Sequence, residues 1–384
     1  MSTSTAPVDT STAEGPPRAE RAGRSRPRMP LWDNARFGCI VLVVMGHAIQ
    51  RQTADSDNAL ILYLFFYAFH MPAFAIISGY FSKASPPGSR QMRKLISDIL
   101  LPYLLFEAIW SAVQWLVEGN AGFDPSQPSW TLWFLLALAI FRVALPYLVL
   151  LRWPMLWAVL ASVGVGYLAN VDSTFSLSRA IGILPFFLLG WELRQLKVVE
   201  WWQTLGTRVW WFRTAAAAAF VTWLIVVVLN IGPFREFDLR FWFFYDDSYQ
   251  ALGEPVWWAG LLRLALIGLA VLLSACFFAL IPRRETFFSA FGQATMYVYL
   301  LHSFVLYPIR ESGVLRDDHA SATWLLTMVF ASFAISLALA SPLVRRVFRP
   351  LIEPKPRWLF RDTGDFQPKE SRTDPTGSRR DRRE

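Results

Sequence analysis

Apolar runs of about twenty residues recur along this 384-residue chain, and short polar segments separate them. A run of that length can cross the hydrocarbon core of a bilayer as an α-helix. Hydrophobic residues make up 54% of the sequence and charged residues only 17%, below the roughly one quarter that soluble domains carry. Because a lipid-embedded backbone must satisfy its own polar groups, the runs predict an all-α, polytopic membrane bundle.

The pattern predicts about ten transmembrane helices. Their approximate positions are 34–50, 59–82, 95–117, 130–151, 155–170, 179–196, 209–231, 257–280, 292–310 and 322–344. The polar, Pro- and Arg-rich segment 1–28 and the basic segment 350–384 are predicted to be disordered tails, since neither can bury enough apolar surface to fold. Residues 29–349 form the predicted membrane domain.

Charge alternates from loop to loop, which predicts the orientation of the bundle. Basic residues lie in both terminal flanks and in the loops after spans two, six and eight, whereas the intervening loops are acidic. By the positive-inside rule, both termini are expected in the cytoplasm, with the protein in the plasma membrane. The net charge of +8 therefore reports membrane topology and not a nucleic-acid partner.

The first predicted span carries three ionisable side chains on one helix face. Arg36 and His47 are eleven residues apart, so at about 100° per residue they project in nearly the same direction, and Asp33 lies one turn before Arg36. Ionisable residues inside a membrane are costly and usually functional. Histidine is also the side chain best suited to proton transfer near neutral pH.

Three more polar side chains fall inside predicted spans. His70 lies just before Pro72, so it could satisfy a backbone kink or help to form a shared polar cavity. Glu107 could orient a histidine or make a structural hydrogen bond to a neighbouring helix. His302, in span nine, is a third intramembrane histidine.

A basic cluster opens the third span. Arg90, Arg93 and Lys94 fit a positive-inside anchor, but they also fit a clamp for a polyanionic phosphate ligand. Composition does not separate these two interpretations. The two cysteines, Cys39 and Cys276, lie within apolar spans and offer no metal-ligand spacing, so no metal is expected.

Together these motifs resemble acyltransferase family 3, a family of integral membrane acyltransferases, and in particular its fucose 4-O-acetylase-like branch. The resemblance extends in order over residues 31–345. It rests on Asp33-Asn34-Ala35-Arg36-Phe37, Val44-Met45-Gly46-His47, Phe69-His70-Met71-Pro72, Ile77-Ser78-Gly79-Tyr80-Phe81-Ser82-Lys83, Arg90 with Arg93, Leu132-Trp133-Phe134-Leu135 and Tyr297-Val298-Tyr299-Leu300-Leu301-His302.

The resemblance implies a ten-span O-acyltransferase that uses cytoplasmic acetyl-CoA, or another acyl-CoA, to acylate a hydroxyl of a sugar, glycan or lipid-linked glycan. It places catalysis at His47 and matches Arg36 to an arginine of the family's first span, and we add Asp33, which lies one turn before Arg36. It also places binding of the acyl-CoA phosphates at Arg90 and Arg93, and we add Lys94. The expected substrate-binding residues are His70, Tyr80, Glu107, Trp133 and His302. The expected partners are the bilayer, acyl-CoA and the carbohydrate or glycolipid acceptor, and a homodimer is possible.

Two chemical courses and two other functions stay open. His47 could act as a general base on the acceptor hydroxyl, or it could carry the acyl group itself. Arg36 could stabilise the oxyanion or hold CoA phosphates. The main rival is a transporter of a sugar or anionic small molecule, because transporters also bury histidines and acids at mid-membrane. A sensor without chemistry is the other.

Overall fold

Helices account for nearly all secondary structure in the computed structural model, which describes residues 29–119, 122–312 and 321–360. Within those ranges the chain forms no β-strand, so the all-α prediction holds. The predicted tail 1–28, residues 361–384 of the other predicted tail and the acidic loop around Asp317 lie outside the described residues.

The first half of the chain contains eight of the described α-helices. They are α1 (Pro30–Ile49), α2 (Asp57–Tyr67), α3 (His70–Tyr80), α4 (Ser89–Leu95), α5 (Leu101–Glu118), α6 (Trp133–Leu148), α7 (Pro154–Val165) and α8 (Leu177–Gln195). A π-helical turn, Ile96–Leu100, joins α4 to α5 without a break. Such turns often occur inside helices near functional sites.

The second half adds four long helices and four shorter ones. They are α9 (Val198–Thr204), α10 (Val209–Leu229), α11 (Ile231–Glu236), α12 (Leu239–Trp242), α13 (Ala259–Leu280), α14 (Thr295–Glu311), α15 (Ala322–Leu339) and α16 (Pro342–Ile352). The short helices α11 and α12 lie in the predicted outer loop between spans seven and eight. A 3₁₀ helix, Phe287–Ala294, leads into α14.

Every predicted span contains a helix, but six helices in the described ranges are both long and apolar enough to cross a membrane. They are Asp57–Tyr80, Ser89–Glu118, Thr174–Gln195, Gly206–Leu229, Ala259–Leu280 and Ala322–Leu339. Helices α6 and α7 are apolar but shorter. Neither α1 nor α14 is among the six, and these two helices carry buried polar side chains, Asn34 on α1 and His302 on α14. The count of ten and the orientation remain predictions.

Two predicted spans are interrupted in the structure. Span two divides into α2 and α3 near Phe69, three residues before Pro72. Proline has no backbone N–H, so it cannot make the helical hydrogen bond to the preceding turn. Span ten ends at Leu339, earlier than predicted, because Ser341 begins a new helix. Its side chain accepts a hydrogen bond from Val344 N, and Pro342 occupies the first helical position.

Helix α1 lies at the centre of the bundle, in contact with α3, α14, α15 and the 3₁₀ helix before α14. Asn34 fixes the start of α1. Its Nδ2 donates to the carbonyl oxygens of Pro282 (3.0 Å) and Arg284 (3.1 Å), and its Oδ1 accepts from Thr286 Oγ1 (2.8 Å) and Ser289 Oγ (2.7 Å). The amide thereby uses its full hydrogen-bonding capacity and ties α1 to the segment after α13.

Helices α3 and α8 cross with their backbones in contact. A Cβ at Gly79 would collide with the carbonyl of Phe187, and a Cβ at Gly190 would collide with the carbonyl of Ile76. Small residues permit such close approach of membrane helices. The neighbour that approaches Gly79 most closely is therefore helix α8.

Candidate active site

His47 lies in the last turn of α1, with its ring between two other rings. The centroid of His47 is 5.4 Å from that of His302 on α14 and 5.3 Å from that of Trp130. The Nδ1 atom of His47 is buried and makes no hydrogen bond within the described residues. An imidazole nitrogen in this state can take a proton from a group placed beside it.

His302 is fully buried, and its contacts indicate its tautomer. Its Nδ1 lies 3.0 Å from the carbonyl oxygen of Val298. A carbonyl oxygen can only accept, so Nδ1 carries the hydrogen and the neutral ring leaves Nε2 as a proton acceptor. Nε2 is buried without a partner in the described part of the chain. The structure therefore forms a histidine pair, His47 and His302, in which each ring keeps one unengaged nitrogen.

His70 hydrogen-bonds to the backbone at the break between α2 and α3. Its Nδ1 donates to the carbonyl oxygen of Phe66 at 3.0 Å, which is the backbone interaction that the sequence offered as one interpretation. Its ring packs edge-on against Tyr67 at 4.4 Å. A Cβ at Gly46 would collide with the Tyr67 ring, so Tyr67 lies directly against the residue before His47. His70 is thus linked to the site through Tyr67.

Glu107 hydrogen-bonds to a loop and to neither a histidine nor a neighbouring helix. Its carboxylate oxygens accept from Ser129 Oγ (2.6 Å) and Ser129 N (2.9 Å). Tyr299 OH donates to the carbonyl of Thr131, so the segment 129–131 is held at both ends. Glu107 was predicted to bind substrate, but its carboxylate is engaged by the backbone and side chain of this loop.

Between these two anchors, Trp130 adopts a left-handed backbone conformation, with φ of 39°. That conformation is unfavourable for a bulky residue and persists only when its surroundings enforce it. The enforced backbone directs the indole edge-on to His47, and Arg310 lies over the indole at 5.3 Å. Sequence reasoning missed Trp130, because nothing in the pattern at the start of span four indicates a left-handed residue.

A narrow cavity opens beside His47, between α1, α14 and α15. Two basic residues, Arg51 and Arg310, lie on its lining near Trp130, and apolar side chains of α14 and α15 form the rest. Arg51 donates to Glu311 Oε1 at 2.7 Å and to the carbonyl oxygen of Arg310 at 2.6 Å. His47 is therefore reached from a cavity of its own.

A second, larger cavity of about 610 Å³ lies at the other end of α1, and we call it the basic cavity. Its lining includes five cationic side chains and no acidic one: Arg36, Lys83, Arg90, Lys94 and Arg142. Arg36 also approaches Asp33 Oδ1 at 3.3 Å and lies 4.4 Å above the ring of Phe81. Such a concentration of guanidinium and ammonium groups is chemically suited to a polyphosphate ligand.

Three predicted site residues lie elsewhere. Arg93 does not line the basic cavity, since its guanidinium lies over the ring of Phe360 at 5.4 Å. Tyr80 packs on Trp32 at 4.5 Å and lines neither cavity.

Trp133 lies under the guanidinium of Arg179 at 4.6 Å. That arginine forms an ion pair with Asp246 of the loop after α12. Sequence reasoning did not single out Arg179, which lies at the edge of span six and looks like an ordinary interfacial cation.

Aromatic rings separate the two cavities. Phe74 lines the basic cavity and contacts Phe134 at 5.7 Å, Phe134 lies 6.4 Å from Tyr299, and Tyr299 lies 6.3 Å from His302. Along α1, Arg36 and His47 are roughly 16 Å apart. These rings form a continuous chain of contacts from the basic cavity to His302.

The family model described as an acyltransferase domain, that of acyltransferase family 3, matches residues 30–341. This chain belongs to acyltransferase family 3. The match covers α1 to α15, and with them both cavities and the histidine pair. No curated protein and no solved structure matches the chain. Family membership supports a membrane O-acyltransferase, and the donor, the acceptor and the branch of the family belong to the proposal that follows.

Proposed function

We propose that this acyltransferase takes an acyl group, most simply acetyl, from acyl-CoA and transfers it to a hydroxyl of a sugar, glycan or lipid-linked glycan, as in the fucose 4-O-acetylase-like branch. The observation that carries the proposal is that one central helix, α1, contributes Arg36 to the basic cavity and His47 to the histidine pair. A polyphosphate donor fits the first, and proton transfer fits the second.

The donor would bind with its phosphates among the cations of the basic cavity. Arg36 lines that cavity from α1, and Arg90 and Lys94 line it from α4. The position of Arg36 favours a role in phosphate binding over oxyanion stabilisation, because His47 is roughly 16 Å further along α1. The pantetheine arm of CoA is long enough to extend from this cavity toward the histidines. With both termini in the cytoplasm, as the loop charges predict, the basic cavity faces the cytoplasmic pool of acyl-CoA.

The transfer itself would occur beside His47. An imidazole nitrogen removes the proton of the acceptor hydroxyl, and the resulting oxygen attacks the thioester carbonyl carbon. The carbon–sulfur bond then breaks, and the departing thiolate takes the proton from the imidazolium. The second course, with an acyl-His47 intermediate, uses the same geometry.

Radiolabelled acetyl-CoA tests the proposal directly. Membranes that contain the protein are incubated with it, and the label is followed into lipid, glycan and soluble fractions. The expected result is CoA release coupled to a labelled acceptor, which the His47→Ala variant does not produce although it inserts and folds. A transporter would release no CoA, and that outcome would refute the enzymatic proposal.

A further inference from the structure

Helix α16 follows the last apolar helix and has two chemically different faces. Val344, Phe348 and Leu351 repeat at i, i+4 and i+7 and form one apolar stripe, while Arg345, Arg346 and Arg349 lie on other sides of the helix. An amphipathic helix of this kind, with basic residues on its polar face, is typical of helices that lie in a membrane interface.

The apolar stripe of α16 borders a groove of about 420 Å³ whose lining is entirely apolar. The groove runs between α5, α14 and α16. Its lining residues include Phe106 and Ile109 on α5, Leu301 and Phe304 on α14, and Phe348 and Leu351 on α16. A groove with these walls is chemically suited to a hydrocarbon chain.

Next to the groove, between α5 and α16, is a cavity of about 640 Å³ whose lining includes three cationic side chains. It is lined by Arg346, Arg349 and Lys355, together with a single acidic residue, Glu353. Glu353 is already engaged, since it accepts from Tyr297 OH at 2.9 Å and pairs with Arg349 at 3.3 Å. The cavity therefore has a surplus of positive charge.

The two spaces follow one another along α5. The basic space touches Leu101 and Leu105, and the apolar groove touches Phe106 and Ile109. Leu101 and Ile109 are roughly 12 Å apart along the helix axis. The nearby side chain of Trp358 is 83% exposed, as expected of an aromatic residue that sits at the headgroup level of a membrane.

We propose that α5, α14 and α16 form a binding site for an anionic phospholipid, with the headgroup phosphate on Arg346 and Arg349 and an acyl chain in the apolar groove. The charge surplus selects an anionic headgroup, and the adjoining groove distinguishes a lipid from a soluble phosphate. This site shares no lining residue with the basic cavity and does not depend on the proposed acyl transfer.

Native mass spectrometry of the full-length, delipidated protein tests the site. The protein is titrated with phosphatidylglycerol and phosphatidylcholine of identical acyl chains. We expect phosphatidylglycerol to be retained in preference to phosphatidylcholine. The double variant R346Q/R349Q should weaken phosphatidylglycerol binding roughly 30-fold, which is about 1 kcal/mol for each arginine. Phosphatidylcholine binding should not change.

The matched control is R208Q/R284Q, which removes the same charge from exposed residues outside the site. It should change phosphatidylglycerol binding by less than about twofold. Val305→Trp, which fills the apolar groove, should weaken binding of both lipids. Thermal melting checks that each variant is folded. If the double variant is unfolded, the single variants R346Q and R349Q are tested instead.

Three results would overturn the proposal. Equal retention of the two lipids by the wild type would show that the acyl chains bind without selection for the headgroup. An equal loss of phosphatidylglycerol binding in R208Q/R284Q would show that the protein's overall positive charge, and not this site, attracts the lipid. A protein dimer that excludes lipid, and that R346Q/R349Q dissociates, would show that a second copy of the chain covers this face.

Discussion

The basic cavity and the histidine pair lie near opposite ends of α1 and differ in almost every physical property. The basic cavity has a volume of about 610 Å³ and is lined by five cations, whereas the narrow cavity at His47 has mostly apolar walls and His302 is fully buried. A wide, charged space suits the binding of a hydrated polyanion. A narrow space with mostly apolar walls suits a reaction that depends on the exclusion of water.

One helix can therefore contribute residues to two sites with different chemical roles when its polar residues are several turns apart. The sequence places Arg36 and His47 on one face and suggests a single site. In the structure, the rings of Phe74, Phe134 and Tyr299 stand between the two regions. Substitutions that weaken acyl-CoA binding should therefore differ from those that slow the acyl-transfer step.

The largest effect is expected for His47→Ala. Removing a positioned general base typically costs 10²- to 10⁴-fold in rate, so the rate of acyl transfer should fall by about that factor. The KM for acetyl-CoA should stay near the wild-type value, because the phosphates bind elsewhere. Steady-state kinetics of purified protein in nanodiscs measure both. A large rise in KM would mean that the two regions are not separate.

Arg90→Gln should act in the opposite way, raising the KM for acetyl-CoA with little change in kcat. Loss of one charge-assisted contact costs about 1.5–3 kcal/mol, or roughly 10- to 100-fold in affinity. Arg93→Gln is the matched comparison, since Arg93 contacts Phe360 and does not line the basic cavity, and its effect should be smaller. If the two variants behave alike, the basic cavity is not where the phosphates bind.

Glu107→Gln should have an intermediate effect through Trp130. The amide can accept only one of the two hydrogen bonds from Ser129, so the free energy of unfolding should fall by about 1–2 kcal/mol. With Trp130 less firmly held against His47, kcat should fall and KM should not. Ser111→Ala, on the same helix, removes only a bond to the Glu107 carbonyl oxygen and serves as control. Unchanged kcat in a destabilised Glu107→Gln protein would exclude this positioning role.

The smallest effect is expected for Tyr80→Phe. Tyr80 packs against Trp32 and lines neither cavity, so loss of its hydroxyl should change both kcat and KM by less than about twofold. The measurement is the same kinetic assay. A clear loss of activity would restore the prediction from sequence that Tyr80 binds substrate.

Hydropathy predicted the helical class and the approximate place of the long helices, because a bilayer constrains apolar length strongly. It predicted the breaks less well. The end of span ten depends on Ser341 and Pro342, whose local capping interrupts an otherwise apolar run. Likewise, α1, at 20 residues, is long enough but not apolar enough to be among the six helices that length and apolarity identify, and α14, at 17 residues, is shorter than any of them.

The candidate site shows the same limit of sequence-based prediction. His47 and His302 were identifiable as ionisable residues inside predicted spans, but their proximity was not, since 255 positions separate them in the chain. The hydrogen bonds between Glu107 and Ser129, and the left-handed backbone of Trp130, also depend on contacts between distant segments. No local pattern encodes them.

The sequence alone was enough to predict a helical membrane protein of acyltransferase family 3 with histidines inside its spans. The length of each apolar run and the position of each ionisable residue within it can be taken directly from the sequence. Only the tertiary structure decided which nitrogen atoms stay unengaged, which cations share a cavity and which rings stand between donor and base. These depend on packing between segments that are remote in the chain, where small shifts in helix position change every contact.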